Sequence, residues 1–128
     1  MAGELVLIVE DNEKNMKLFR DVLVATGYST LEATTGEDAV ALAVSHTPAL
    51  VLMDVQLPGI DGVEALVRLR RDERTQAIPI LALTAQAMHG DRERFLEAGF
   101  ADYLSKPVEI AELLRAVEAH CADDSAVR

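Results

Sequence analysis

Five residues able to do chemistry stand at the ends of apolar runs. Glu10 and Asp11 follow Leu5-Val6-Leu7-Ile8-Val9, and Asp54 closes Ala49-Leu50-Val51-Leu52-Met53. Thr84 closes the run from Ile78 to Leu83, and Lys106 follows the weaker run from Ala101 to Leu104. If these runs are neighbouring parallel strands, three carboxylates converge at one end of a sheet. Two unit charges ~4 Å apart repel by about 4 kcal/mol at an effective dielectric near 20. Three stay ionised together only when a cation joins them or one takes a proton. A hard, oxygen-seeking ion such as Mg²⁺, with Mn²⁺ as its substitute, meets that need and leaves room for phosphate. The Glu10-Asp11 pair taken alone serves equally well as a helix cap that favours the helix dipole. Asp54 tips the balance towards a metal. A hydroxyl at Thr84, a backbone N–H at Ala85 and an ammonium at Lys106 would then face the carboxylates, a setting for a phosphoryl group beside a metal. Taken singly, Thr84 reads as a turn residue and Lys106 as a surface cation.

The elements that must position these groups alternate in type. The runs beginning at Leu5, Ala49 and Ile78 are short, nearly continuous and rich in branched residues, as strands buried on both faces are. Tyr28 to Ala33 and Ala101 to Leu104 mix polar with apolar residues and read as half-exposed edge strands. Between them lie helical stretches. Met16, Phe19 and Leu23 share a face over residues 12–26, and Gly27 stands where the chain leaves that helix. Thr35 and Asp38 open a second helix that runs to His46. Pro58, Gly59 and Asp61 lead into a third over Gly62 to Arg71. Met88 to Ala98 makes a fourth, ended by Gly99. Ile110, Leu113, Leu114, Val117 and Cys121 form one face of a fifth, and Ala122 to Arg128 reads as a short frayed tail. Five strand–helix repeats predict a doubly wound α/β sandwich with a five-stranded parallel sheet of order 2-1-3-4-5. In such a sheet the ligand site lies beyond the carboxyl ends of the first and third strands.

Composition bounds the function. A chain of 128 residues has room for one domain, residues 1–121, and none for an output domain. Asp and Glu outnumber Lys and Arg by 22 to 12, and a net charge of −10 repels nucleic-acid backbones and anionic membranes. No stretch approaches the roughly 18 apolar residues of a membrane span, no basic leader precedes the first strand, and the single Cys121 makes no internal disulfide. These features predict a cytoplasmic protein. His46, His89 and His120 are isolated and read as surface residues rather than metal ligands. Arg68, Arg70, Arg71 and Arg74, interspersed with Asp72 and Glu73, read as a solvated helix end. Met16, Met88 and Cys121 read as packing.

From about Leu5 to Cys121 the chain resembles the receiver domains of bacterial two-component response regulators. The resemblance is carried by Glu10-Asp11-Asn12, by Met53-Asp54-Val55-Gln56-Leu57-Pro58-Gly59 with Asp61-Gly62, by Leu83-Thr84-Ala85 and by Tyr103-Leu104-Ser105-Lys106-Pro107. Within the family it is most similar to single-domain, DivK-like regulators, through residues 9–19 and 85–91. The resemblance implies the CheY-like, flavodoxin-like fold. It implies Asp54 as phosphoacceptor, charged by a histidine kinase or histidine phosphotransferase. It implies Mg²⁺ on Asp11, Asp54 and the Gln56 carbonyl, with Glu10 acting through water. Lys106, the Thr84 hydroxyl and the Ala85 N–H would hold the phosphoryl oxygens. Thr84 and Tyr103 would form a switch, Gln56 and Gln86 would tune the lifetime of the phosphoryl group, and Lys106-Pro107 would be cis. Output would pass through the face of the fourth helix, fifth strand and fifth helix to a protein target, from a monomer or a phosphorylation-dependent dimer, in cell-cycle or polarity control. Such a protein catalyses only its own phosphorylation and dephosphorylation.

Other readings separate on single residues. A receiver domain belonging to a hybrid histidine kinase shares the same motifs. A Mg²⁺-dependent phosphatase of the haloacid-dehalogenase type needs an acid two residues after its Asp nucleophile, where this chain has Gln56. A flavodoxin needs a phosphate-binding loop after the first strand, where this chain has Glu10 and Asp11. A scaffold that has lost phosphorylation would not need Asp54, Thr84 and Lys106 together.

Overall fold

The computed structural model of the chain describes residues 3–85 and 91–127, the side chains of 91, 92 and 122–127 aside. The elements in order are β1 (Leu5–Val9), α1 (Glu13–Ala25), β2 (Ser29–Ala33), α2 (Gly36–His46), β3 (Leu50–Asp54), α3 (Gly62–Arg71), β4 (Ile80–Thr84), α4 (Asp91–Ala98), β5 (Asp102–Ser105) and α5 (Ile110–Val127). All strand pairs are parallel and the order is β2-β1-β3-β4-β5, as the alternation predicts.

Strand side chains alternate between the faces of the sheet. Val6, Ile8, Leu50, Leu52, Leu81, Leu83 and Leu104 pack with Met16, Phe19 and Leu23 of α1 and Leu113, Val117 and Cys121 of α5. Leu7, Val9, Val51, Met53, Ile80 and Ala82 pack on the other side with Ala39 and Ala43 of α2 and Ala65, Leu66 and Leu69 of α3. Phe95 of α4 and Phe100 join that second layer edge-to-face, their centroids 5.9 Å apart. Interior strands β1, β3 and β4 are buried along nearly their whole length, whereas β2 and β5 are partly exposed, as edge strands are. Cys121 and Met16 are core residues.

Most strand limits shift by a residue from the sequence reading, and larger differences appear at β4, at α5 and at Arg70. Ile78 and Pro79 stay outside β4, because proline has no N–H to give the ladder and contributes only its carbonyl, to Val51 N. α5 runs past Cys121 to Val127, and residues 122–127 contain neither Gly nor Pro to stop it. Arg70 is no part of a solvated helix end. Its guanidinium is half-buried and donates to the carbonyl oxygens of Gln76 at 3.1 Å, Ile78 at 2.9 Å and Gly99 at 3.0 Å, with a longer contact to Thr75. Burial lowers its pKa, and a guanidinium keeps its charge regardless. Its neighbours Arg68 and Arg74 do make exposed pairs, with Glu64 and Asp72. The expected start of the fourth helix at Met88, together with Gln86 and His89, lies outside the described residues.

Helix starts are set by side-chain caps. Asn12 Oδ1 accepts from Asn15 N, Thr35 Oγ1 from Asp38 N, and Asp61 Oδ1 from Glu64 N. The first of these decides between the two uses of Glu10 and Asp11: Asn12 caps α1 and leaves both acids for other work.

Candidate functional site

Register brings the strand ends together. Val9 pairs with Met53, so Glu10 and Asp54 come side by side one step on. Asp54 pairs with Leu83 and Thr84 with Ser105, which carries Thr84 and Lys106 to the same end. Parity then sorts the side chains. Glu10, Asp54 and Lys106 continue the rows that face α1 and α5, whereas Thr84 and Tyr103 continue those that face α3 and α4.

Lys106 is the hub. Its Nζ lies 2.8 Å from Asp54 Oδ2, as a hydrogen bond, and 2.9 Å from Glu10 Oε1, as an ion-pair contact. The other oxygens are held by the backbone: Asn12 N donates to Glu10 Oε2 at 3.1 Å and Gln56 N to Asp54 Oδ1 at 3.0 Å. Glu10 and Asp54 are buried, at 1% and 4% exposure, whereas Asp11 is open to solvent. Burial pushes the Glu10 carboxyl up from the usual carboxylate range; contact with Lys106 opposes this and the charge of Asp54 adds to it. For Lys106 burial acts downward, but the hydrogen bond to Asp54 and the contact with Glu10 outweigh it and raise the pKa.

One oxygen from each of Glu10, Asp11 and Asp54 lies within 4.8 Å of the others. Oε1 of Glu10 is buried and receives no directed hydrogen bond. Three carboxylates against one ammonium leave the cluster negative, with one solvent-facing acid at its mouth. This donor set fits a hard divalent cation that keeps part of its water shell.

Close packing holds the loop after Asp54. Gly62 N donates to Val55 O at 2.9 Å, and a Cβ on Gly62 would lie 2.5 Å from Asp54 O, so a larger residue there forces the loop to shift. Thr84 is buried at the end of β4, and Lys106 N donates to its carbonyl at 2.8 Å. Ala85 is exposed. Tyr103 sits in the second core layer with its ring tilted on Phe95, 5.8 Å between centroids. The Lys106–Pro107 peptide is cis. His120 is half-buried, its Nε2 3.7 Å from Asp102 Oδ2. The Gln56 amide is a contact that the sequence reading missed. An Asp side chain bonding the backbone N–H two residues on is the Asx-turn habit, and Asp54-Val55-Gln56 carries that signal.

The response regulator receiver domain family matches residues 6–118. The chain belongs to that family. This receiver domain is 45% identical to the polar-differentiation response regulator DivK of Brucella ovis over 92% of its own length and 96% of the relative's, and 44% identical to that of Brucella anthropi over the same shares. A receiver domain of a sensor histidine kinase from Pseudomonas aeruginosa PAO1, with a magnesium ion coordinated in its active-site cleft, is 40% identical. It superposes with a TM-score of 0.87 over 94% of this chain and 99% of that one. The chemotaxis response regulator CheY4 of Vibrio cholerae matches at a TM-score of 0.85 and 26% identity, over 94% and 98% of the two chains. The receiver domain is thus DivK-like in sequence and CheY-like in fold. Among its described residues no helix is long and apolar enough to cross a membrane.

Proposed function

We propose that this receiver accepts a phosphoryl group on Asp54 from a phosphohistidine of a histidine kinase or histidine phosphotransferase. An Asp54 carboxylate oxygen attacks phosphorus, the P–N bond breaks, and the imidazole leaves with the electron pair. The observation that carries the reading is Lys106 spanning Asp54 and Glu10, with an oxygen of Asp11 within 4.8 Å. Phosphoryl transfer depends chiefly on alignment and charge neutralisation, so such an arrangement suffices without a separate base. Lys106 pairs with the phosphoryl oxygens, and the Thr84 hydroxyl and Ala85 N–H take the others. Asp11, Asp54 and the Gln56 carbonyl would hold Mg²⁺, with Glu10 acting through water, and the ion would supply charge neutralisation for the transfer. The Gln56 side chain and Gln86 tune how soon water removes the group. With Gln56 where a phosphatase carries its acid, the chemistry stays on the protein's own Asp54.

Phosphorylation adds charge and acceptor oxygens at the end of β4. Thr84 moves towards them and Tyr103 takes up the space released, changing the surface of α4, β5 and α5. That surface carries a groove of about 530 Å³ lined in part by Tyr103, Ser105, Glu112 and Arg115. A downstream protein docks there, with or without a phosphorylation-dependent dimer. The near-complete cover of DivK relatives, whose name is polar-differentiation response regulator, supports action as a stand-alone regulator with a role in polarity or cell-cycle control, residues 1–121 forming the receiver; the cytoplasm is the compartment that goes with this reading.

Incubation with acetyl phosphate and Mg²⁺ followed by intact mass measurement tests this. One phosphoryl group on the wild type and none on Asp54→Asn is expected. A wild type that stays unmodified, or a modification that survives the substitution, overturns the reading.

A further inference from the structure

The loop between β3 and α3, residues 55–61, is fastened near its start by β4 and Asp54 and at its end by the first residue of α3. Val55 N donates to Leu83 O, Gln56 N to Asp54 Oδ1, and Gly62 N to Val55 O. Its apex, Pro58-Gly59-Ile60, depends on a different element. Glu37, in the first turn of α2, lays its carboxylate against Gly59. A Cβ on Gly59 would come within 2.8 Å of Glu37 Oε2 and 2.9 Å of Oε1. Ile60 N donates to Oε2 at 3.4 Å. One residue earlier, Gly36 abuts Ile60 so closely that a Cβ there would lie 2.5 Å from Ile60 Cγ1 and 2.7 Å from its carbonyl oxygen.

We infer that Glu37 is a positioning residue for the phosphoacceptor loop, acting through the Gly59–Ile60 backbone on the placement of the Gln56 carbonyl. This rests on the reading of the site given above. Gly59 has φ +77°, a conformation that turns its following amide with little steric cost only when no side chain is present. The space a side chain would need is taken by the Glu37 carboxylate, which thus fits Gly59 in shape while it accepts a hydrogen bond from Ile60 N. Without Glu37 the apex keeps its ends and the contact of Ile60 with Gly36, but Gly59 and the Ile60 amide lose the carboxylate that holds them from outside. The loop then samples orientations in which the Gln56 carbonyl points away from the carboxylate cluster.

The test compares wild type with Glu37→Ala, Glu37→Gln, Gly59→Ala and the Glu37→Ala/Gly59→Ala pair. The readouts are amide hydrogen exchange at Ile60 in metal-free protein and the Mg²⁺ dissociation constant by calorimetry. Loss of one net hydrogen bond corresponds to about 2- to 10-fold in an equilibrium constant. Glu37→Ala is expected to speed exchange at Ile60 and weaken Mg²⁺ binding within that range, with the thermal midpoint lowered by no more than a few degrees. Glu37→Gln keeps an acceptor oxygen without the charge and is expected to restore both readouts to within about twofold. Gly59→Ala is expected to weaken Mg²⁺ binding less in the Glu37→Ala background, where its methyl no longer meets the carboxylate. Unchanged exchange and Mg²⁺ binding in Glu37→Ala overturn the inference while leaving the site reading intact. Equal losses in Glu37→Gln and Glu37→Ala assign the effect to charge and also overturn it. A wild type that binds no Mg²⁺ overturns the site reading and this inference with it.

Discussion

Leu52 and Asp54 lie two residues apart on one strand, point to the same face and are both buried, yet they do opposite jobs. Leu52 is enclosed by apolar side chains from α1, α5 and the neighbouring strands, and its burial favours folding. Asp54 sits where that packing ends, beside Glu10 and Lys106, and its burial opposes folding unless the charges are met. The same alternation that builds a core over Leu50 and Leu52 aims the next residue of the row at a reactive cluster. Strand interiors therefore supply the apolar core and strand ends the charged cluster, and the boundary between them is one residue wide.

Substitutions on either side of that boundary should separate the two properties. The largest effect is expected from Leu52→Ala, which should lower unfolding free energy by about 2–5 kcal/mol in denaturant titration, while folded protein still takes up a phosphoryl group. Gly62→Ala forces a methyl onto the Asp54 carbonyl, and overpacking of this kind costs about 1–3 kcal/mol. Because the strain falls on the loop, phosphorylation should slow in parallel, measured as the rate of mass gain. Asp54→Asn should leave stability unchanged or raise it by about 1 kcal/mol, since it removes one of three like charges and Lys106 keeps Glu10. A fall of several kcal/mol would mean that Asp54 is part of the stabilising interior after all. The smallest effect belongs to Asp11→Asn. This exposed acid should change metal-free stability by no more than about 0.5 kcal/mol, yet most of the thermal stabilisation given by added Mg²⁺ should disappear.

The strand interiors were legible because apolar runs and parity are local properties. Leu5 to Val9 and Leu50 to Met53 announce themselves without reference to anything distant. The site was legible as a list of strand-end residues, and its convergence followed once the order 2-1-3-4-5 was accepted. What the sequence did not disclose depends on contacts that register and loops create. Lys106 meets Asp54 across 52 positions of chain, and its choice of two carboxylates over one has no local signal. Whether Glu10-Asp11 or Asn12 caps α1 turned on which side chain the first turn reaches. Arg70 looked like its neighbours Arg68 and Arg71, and only the fold shows that three carbonyls from the α3–β4 connection and one from the turn after α4 converge on it.

That grip by Arg70 has a consequence in acid. An exposed pair such as Arg74 with Asp72 holds only while the carboxylate is ionised. The Arg74 hydrogen bonds lower the Asp72 pKa, so its contribution is present above the unfolded value and lost as pH falls through the folded one. Main-chain carbonyls take up no proton over that range, and a guanidinium gives none up. The seam joining α3, the connection to β4 and Gly99 should therefore stay fastened while the ion pairs around it let go, so that acid loosens the rim of the molecule before this seam.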